Sequence, residues 1–415
     1  MKILVFLPRF PYPLNKGDKL RAFNQIKVLS ENNDIYLFAL TKKRIKEVYI
    51  KQVRKYCKDI RVQRLNVWEV CLSLLKCTFD FNPFQVALFT TYTAKKSFSE
   101  YFRQIKPDSV YFQFVRSAEY AKTIRKIVKN NIPNSHKENS DTIKNASLSE
   151  KQTARLVLDF QDCLSMNMLR RAEISSLPIK FILMQEVKRL RKYENSMFNI
   201  FDATTIITKQ DKECIISPER KNIKIIENGV DKKFFGYEGN TKKEFDLIFS
   251  GNMSYKPNVV AAKYLIEDIM PLVWKSNPEV RVCIAGSNPT ADIKSLSCEN
   301  VFVTGWVDDM REYYAKSLIF IAPMQIGTGL QNKLLEAMAM MLPCITTPLS
   351  FYALGAKQNE DILVGNNTEE LASHILELLN DASYQYSIAN AGNSFVKEKY
   401  SWRKSTDKLE KILKN

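Results

Sequence analysis

Histidine is nearly missing from this chain of 415 residues, which holds only His136 and His374. His136 falls in a polar stretch and His374 in the helix pattern LASHILELL, so both read as surface residues. A Ser-His-Asp or Cys-His catalytic site is therefore disfavoured. The eight cysteines, at positions 57, 71, 77, 163, 214, 283, 298 and 344, form no CxxC pair. With so little histidine beside them a zinc site is not expected, and reduced cytosolic thiols are. Long apolar runs are lacking too. The opening MKILVFLP offers five apolar residues, Ile3 to Leu7, before Pro8 and Arg9, and reads as a first strand rather than a signal peptide. No stretch reaches the roughly 20 residues of a membrane-spanning helix. No GKS/T follows a glycine loop, which removes the Walker type of phosphate site. A cytoplasmic protein is the expectation, with chemistry drawn from carboxylates, Lys, Arg and backbone dipoles.

What is present is apolar bulk and positive charge. Hydrophobic residues make up 45% of the chain, with 24 Phe and 18 Tyr, enough for well-packed cores. The length suits two α/β domains better than one. The net charge of +17 is unevenly placed. Residues 1–235 carry 44 Lys and Arg against 24 Asp and Glu, whereas residues 236–415 carry 18 against 21. A basic half fits an anionic bilayer surface or a phospholipid-linked substrate, and equally a plainly solvated face. Nucleic acid is not expected, because no RNP, zinc-finger or basic-helix pattern is present.

Strand and helix signals alternate through both halves. Ile3–Leu7, Asp34–Ala39, Ile60–Leu65, Ser109–Phe114, Arg155–Phe160, Ala203–Thr208 and Ile223–Glu227 read as strands of the first half. Gly17 precedes the first helix, with Asp18 and Arg21 in its opening turn, either for close approach of a phosphate or as an ordinary turn. The stripe Trp68, Cys71, Leu72 and Leu75 has helical spacing and is expected to pack on its own domain, an interfacial helix being the other reading. Asn130–Glu150 reads as a surface loop. Asp159 and Asp162 stand at the end of a strand, where α/β proteins bind ligands, or as loop caps. A polar stretch at Lys232–Asn240 marks a domain boundary. Beyond it, strands at Leu247–Ser250, Val280–Ala285, Val301–Thr304, Ile319–Ala322 and Ile345–Thr347 alternate with helices, including Asn258–Met270 stopped by Pro271.

The most informative stretch is Ile319–Pro348, a strand, a Gly327-Thr328-Gly329 turn, a helix and a second strand. Thr328 and Gln331 have capping-box spacing, which starts the helix at the turn. A glycine turn feeding a helix N-terminus presents free N–H groups and a positive dipole end to a phosphate. Lys333 and Glu336 lie three apart on one side of that helix. Asn332 replaces the third glycine of GxGxxG and no acid ends the next strand, so an NAD fingerprint is disfavoured.

Gly327-x-Gly-x-Gln-Asn-Lys333-x-Leu-Glu336-Ala-Met-Ala-x-x-x-Pro343 resembles the nucleotide-sugar signature of glycosyltransferase family 4, of the GT-B fold. The likeness is nearest to the branch found in bacterial exopolysaccharide and lipopolysaccharide gene clusters. Phe10-Pro-Tyr-Pro13, Lys16-Gly17-Asp18, Asn228-Gly229-Val230-Asp231, Gly251-Asn252-Met, Pro257-Asn258, Ala285-Gly286 and Thr304-Gly305-Trp306-Val307 agree in order. The resemblance implies an α/β chain of two doubly wound, Rossmann-like domains facing across a cleft. Residues 1–235 would bind the acceptor, 236–399 the nucleotide sugar, and 400–415 would cross back to the first domain. Glu336 would hold the donor ribose, while Lys333 and the amides of residues 327–329 would hold the diphosphate. Gly251 and Asn252 would line the donor, and Trp306 and Val307 the base. Gly17, Asp18 and Arg21 would meet phosphate or acceptor; Asp159, Asp162 and Lys333 would be the catalytic groups. The implied reaction retains anomeric configuration, needs no metal or cofactor, and delivers sugar to a lipid-linked or polysaccharide acceptor. Peripheral contact with an anionic membrane, at its cytoplasmic face, stays open. Thr328 stands where many members have a glutamate, Met341 where a glycine is frequent, and Gln325 where this branch often has a basic residue. A GT-B nucleotide-sugar epimerase, or a nucleotide-sugar-binding partner with weakened catalysis, is the alternative.

Overall fold

The computed structural model describes residues 1–130, 154–173, 175–239, 242–326 and 330–415. The expected loop at Asn130–Glu150, apart from Asn130, and the glycine turn at 327–329 lie outside the described residues. The chain divides into two units, Met1–Ile226 with Thr406–Asn415, and Glu227–Ser405. The boundary expected at residue 235 places residues 227–235 in the first domain. They belong to the second because Val230 and Phe234 are buried in its core.

The first unit holds seven strands: β1 (Lys2–Leu7), β2 (Asp34–Thr41), β3 (Asp59–Arg64), β4 (Ser109–Gln113), β5 (Arg155–Asp159), β6 (Ala203–Ile206) and β7 (Lys224–Ile225). They form one parallel sheet ordered β3-β2-β1-β4-β5-β6-β7. Period-two alternation explains why both faces are buried. Leu4 and Phe6 of β1 point into a core on one face, where Phe6 packs on Phe38, Phe98, Phe112 and Tyr120 at ring distances of 4.5 to 5.5 Å. Ile3, Val5 and Leu7 point into the other core. That second core is closed by Leu409 and Leu413 of the last helix, Trp402–Lys414, which Arg155 Nε holds by donating to Ile412 O at 2.7 Å.

The second unit holds β8 (Phe245–Ser250), β9 (Val282–Ala285), β10 (Val301–Gly305), β11 (Ser317–Ala322), β12 (Cys344–Thr346) and β13 (Leu363–Val364). They too are parallel, ordered β10-β9-β8-β11-β12-β13. Strand β13 is two residues long and escaped the sequence reading. In both sheets the order reverses beside the first strand, between β1 and β4 and between β8 and β11. Ligands of open α/β sheets bind at the carboxyl ends of the strands at such a switch point.

Pro271 does not stop its helix. Helix runs Lys256–Tyr264 and Met270–Ser276 are joined by a π-helical turn, Leu265–Ile269. Proline lacks the N–H that an α-helix needs there, and a widened turn just before it accommodates that gap. Ile266, Ile269, Met270 and Val273 stay buried through the irregularity.

Candidate active site

At the second switch point, β8 ends in Ser250 and the chain turns through Gly251 into the helix that carries Asn258. Strand β11 leads toward helix Asn332–Ala339, whose inner face buries Leu334, Leu335, Ala337 and Met338. This burial fixes the helix rotation, so Lys333 and Glu336 stand together on the side of β8. Lys333 Nζ donates to Asn258 Oδ1 at 2.6 Å and sits 4.4 Å from the centre of the Phe249 ring. Asn258 is itself aimed by its Nδ2 donating to Asn252 O at 3.0 Å. Tyr314 Oη donates to Glu336 Oε2 at 3.4 Å and shares a 2.8 Å hydrogen bond with Ser250 Oγ. Tyr314 and Ser250 are buried, whereas Lys333 and Glu336 keep a partly open surface.

The backbone here admits only glycine at two points. Gly251 has φ +156°, and a Cβ on it would meet Asn258 Nδ2 at 2.6 Å and Lys333 Nζ at 3.1 Å. Gly286, at the end of β9 with φ +140°, would drive a Cβ to 1.8 Å from Gly251 O. The two loops are therefore stacked backbone on backbone, leaving the lysine tip its place.

Electrostatics set the site's chemistry. Burial pushes the Lys333 ammonium down to about 7, with Glu336 opposing the shift. Burial pushes the Glu336 carboxyl up to about 7, against the pull of Lys233 and Lys333 and the Tyr314 hydrogen bond. Both charges are poorly solvated: an anion would stabilise the ammonium form of Lys333, and a hydrogen-bond donor would stabilise the carboxylate of Glu336. Both residues lie in the first turn and a half of a helix, where the dipole favours negative charge.

Of the other residues expected on the donor side, Gly251 is brought against Lys333. Asn252 is half-buried, and its Oδ1 accepts from Ser254 N and Oγ at 3.0 and 2.8 Å. Trp306 and Val307 follow β10, two strands from β8, and Thr304 of that strand accepts from Gly286 N at 3.1 Å. Trp306 is exposed, its Nε1 donating to Asp308 Oδ1 at 3.2 Å. Gly327, Thr328 and Gly329 lie outside the described residues. The helix starts at Asn332, and Gln331 before it makes no side-chain cap. Sequence reasoning assigned no role to Asn258, Tyr314 or Ser250. The proximity of Ser250 to Gly251 was visible, but nothing in the spacing tied Tyr314 to Glu336.

In the first unit the expected residues separate. Arg21 and Asp159 are fully buried, and Arg21 Nε donates to Asp159 Oδ2 at 2.7 Å. Asp159 also accepts from Tyr111 Oη at 2.9 Å, Thr205 Oγ1 at 3.0 Å and Gln161 N at 3.3 Å. A carboxylate enclosed by four donors ties β4, β5 and β6 to the first helix, and it has no open face for chemistry. The expected catalytic role of Asp159 and the phosphate role of Arg21 are thus replaced by a framework role. Gly17 is exposed at the start of helix Gly17–Leu29, and Asp18 in that first turn pairs with Arg9 Nη1 at 2.9 Å.

Asp162 differs from Asp159. Burial pushes its carboxyl up to about 7, Asp211 adds to the shift, and Arg116 opposes it. Its Oδ1 makes no hydrogen bond. Arg116, which sequence reasoning missed, follows β4 with its guanidinium 5.6 and 5.4 Å from the rings of Phe89 and Phe114. Just past β4 and β5 the backbone takes positive φ, Phe114 at +63° and Gln161 at +64°. Non-glycine residues held there cost energy and concentrate at functional edges. The signal for Arg116 is its place just past a strand end beside the switch point.

Comparison with known proteins fits this geometry. The family Glycosyl transferases group 1 matches residues 244–381, all within the second unit. An uncharacterized 44.6 kDa protein in the cps region of Klebsiella pneumoniae is 23% identical over 414 residues, covering 97% of each chain. Among solved structures, sucrose-phosphate synthase from Thermosynechococcus elongatus superposes with a TM-score of 0.66 at 11% identity, covering 100% of this chain and 98% of that one. Anabaena HepE, solved in complex with UDP and glucose, gives 0.66 at 12% identity, covering 99% of both. TarM gives 0.67 at 14% identity, covering 100% and 99%. The two parallel-sheet units are those of the GT-B fold. The chain is a glycosyltransferase, with a group 1 domain in its second unit.

Proposed function

We propose that this chain is a retaining glycosyltransferase that moves a sugar from a nucleotide-diphosphate sugar to a lipid-linked glycan in cell-surface polysaccharide synthesis. The observation that carries the donor reading is the poorly solvated pair Lys333 and Glu336 at the switch point of the second sheet. Lys333 would neutralise the diphosphate and stabilise it as it leaves, and the helix dipole would add to that stabilisation. Glu336, set by Tyr314, would accept hydrogen bonds from the ribose hydroxyls. With no covalent protein group in this scheme, retention requires the acceptor hydroxyl to attack the anomeric carbon on the face from which the diphosphate departs: the new carbon–oxygen bond forms as the donor's breaks, and the diphosphate leaves as the anion that Lys333 would neutralise. On the acceptor side, Asp162 is the carboxyl with an open hydrogen-bonding position and a raised pKa, and it would take a proton from the attacking hydroxyl. The structures solved with UDP support the nucleotide class, and the relative from a cps region supports the polysaccharide setting.

The test is nucleotide release from a panel of nucleotide sugars, with and without a lipid extract as acceptor, followed by anomeric analysis of the product. Release that needs the extract, giving a product of unchanged anomeric configuration, is expected. Conversion of the sugar nucleotide with no acceptor present would mark an epimerase instead.

A further inference from the structure

The stripe on helix Val67–Asp80 faces outward. Trp68, Leu72, Leu75 and Phe79 fall within about 60° of one another at roughly 100° per residue. They are 80, 64, 63 and 81% exposed. The opposite side of the helix seats it on the core through Val70 and the buried Cys77. The expectation that the stripe packs inward is therefore reversed: the more apolar face is the one left to solvent.

A second helix repeats the pattern. In Leu177–Ser196 the first turns expose Leu177, Ile179, Phe181 and Ile182, each at least half exposed, while Val187 and Leu190 further along are buried. The two helices are fastened together. Arg189 Nη1 donates to Cys77 O and Asn82 O, both at 3.4 Å, and its guanidinium lies 4.8 Å from the Phe84 ring. Glu186 accepts from Phe84 N at 3.0 Å and Gln85 N at 2.9 Å. Ten of the twenty large apolar side chains exposed among the described residues lie on these helices and at Phe81 just after the first. Scattered exposed residues are ordinary, but such clustering marks an interaction surface.

We infer that this surface docks the first unit onto an anionic phospholipid bilayer. A helix of 14 residues is about 21 Å long, short of the roughly 30 Å hydrocarbon core, and one side is committed to the protein. It therefore lies along the interface with its outer face in the headgroup boundary. Charge selects the occupant. Arg171, Lys180 and Lys188 are exposed on the second helix or beside it, Lys76 on the first is paired with Asp80 at 3.8 Å, and residues 1–235 carry an excess of 20 positive charges. That charge repels a second copy of the chain and attracts anionic headgroups. No helix among the described residues is long and apolar enough to cross a membrane, so the contact is peripheral. The inference deepens the proposed lipid-linked acceptor and rests on that reading for its purpose, though its test needs no substrate.

The experiment is vesicle flotation of the full chain with phosphatidylcholine and with an equal mixture of phosphatidylcholine and phosphatidylglycerol. The chain is expected to float with the anionic vesicles and to do so at least about tenfold less well after Trp68→Ser, Leu72→Ser and Phe79→Ser together. These side chains are exposed, so the variant should keep its melting temperature and its nucleoside-diphosphate affinity. Three results would overturn the inference: no flotation of the unaltered chain, equal flotation of the variant, or a dimer in sizing that the triple substitution dissolves. Lost donor affinity in the unaltered chain, with flotation intact, would instead strike the donor reading alone.

Discussion

The two units share one sheet order and differ in where they keep their polar groups. In the first, the strand-end carboxylate Asp159 is enclosed with Arg21, Tyr111 and Thr205, and the half-buried residues are Asp162 and Arg116, whose Oδ1 and Nε are themselves buried, and the Arg9–Asp18 pair. In the second, the cation and carboxylate at the switch point are left partly open, and the enclosed Tyr314, bonded to the enclosed Ser250, donates to the carboxylate. The same pair of charges is a brace when sealed and, in the function proposed, a binding site when unsealed. Exposure, rather than residue type, separates the roles. The surfaces differ as well. Residues 236–415 are near neutral, with 18 basic against 21 acidic side chains, and the strongly basic half is the one with two apolar helix faces in solvent.

Cutting the brace should have the largest effect. Arg21→Ala leaves the Asp159 carboxylate buried without its cation and is expected to cost about 3–5 kcal/mol of first-unit stability, measured by urea denaturation. The folded fraction should still bind nucleoside diphosphate normally. A variant of unaltered stability with lost transfer activity would return Arg21 to the chemistry and erase the contrast between the units.

A smaller effect sharpens the second unit. With Lys333 lowered to about 7 and Glu336 raised to about 7, donor affinity should pass through a maximum near neutral pH. The acid limb falls as Glu336 takes up a proton and loses the negative charge that would strengthen its acceptance from the ribose hydroxyls; the alkaline limb falls as Lys333 loses its charge. Each limb should drop roughly tenfold per pH unit beyond the maximum. Glu336→Gln should abolish the acid limb and spare the other. Calorimetry across pH 5.5 to 8.5 reads both, and a flat profile would mean that neither group meets the ligand.

Much of this was legible in the sequence because it rests on short-range pattern. Strands β1 to β12 follow from apolar runs bounded by turn residues, and the Lys333 and Glu336 spacing already set both on one side of a helix. What escaped depends on distant partners. Asp159 and Asp162 look equivalent in the sequence, yet a three-residue shift past the strand end places one inside the sheet's polar network and the other at its edge. Tyr314 reaches Glu336 only because β11 brings its preceding helix beside the next one. Periodicity correctly made Trp68–Leu75 helical but set its apolar stripe inward, since the spacing alone does not say which way a stripe turns. Pro271 misled because its cost is absorbed by a π turn. Met341 takes φ +59° at the end of helix Asn332–Ala339, the conformation that a glycine at that place would adopt without strain.

The central claim is that Lys333 and Glu336 form the nucleotide-sugar grip. Titration calorimetry of the unaltered chain and of Lys333→Ala with UDP and other nucleoside diphosphates tests it most directly. Losing one charge-assisted contact to a diphosphate should cost about 2–3 kcal/mol, roughly a 30- to 150-fold weaker Kd, with the melting temperature unchanged. Equal affinity in the two proteins for a nucleotide that the unaltered chain binds would contradict it.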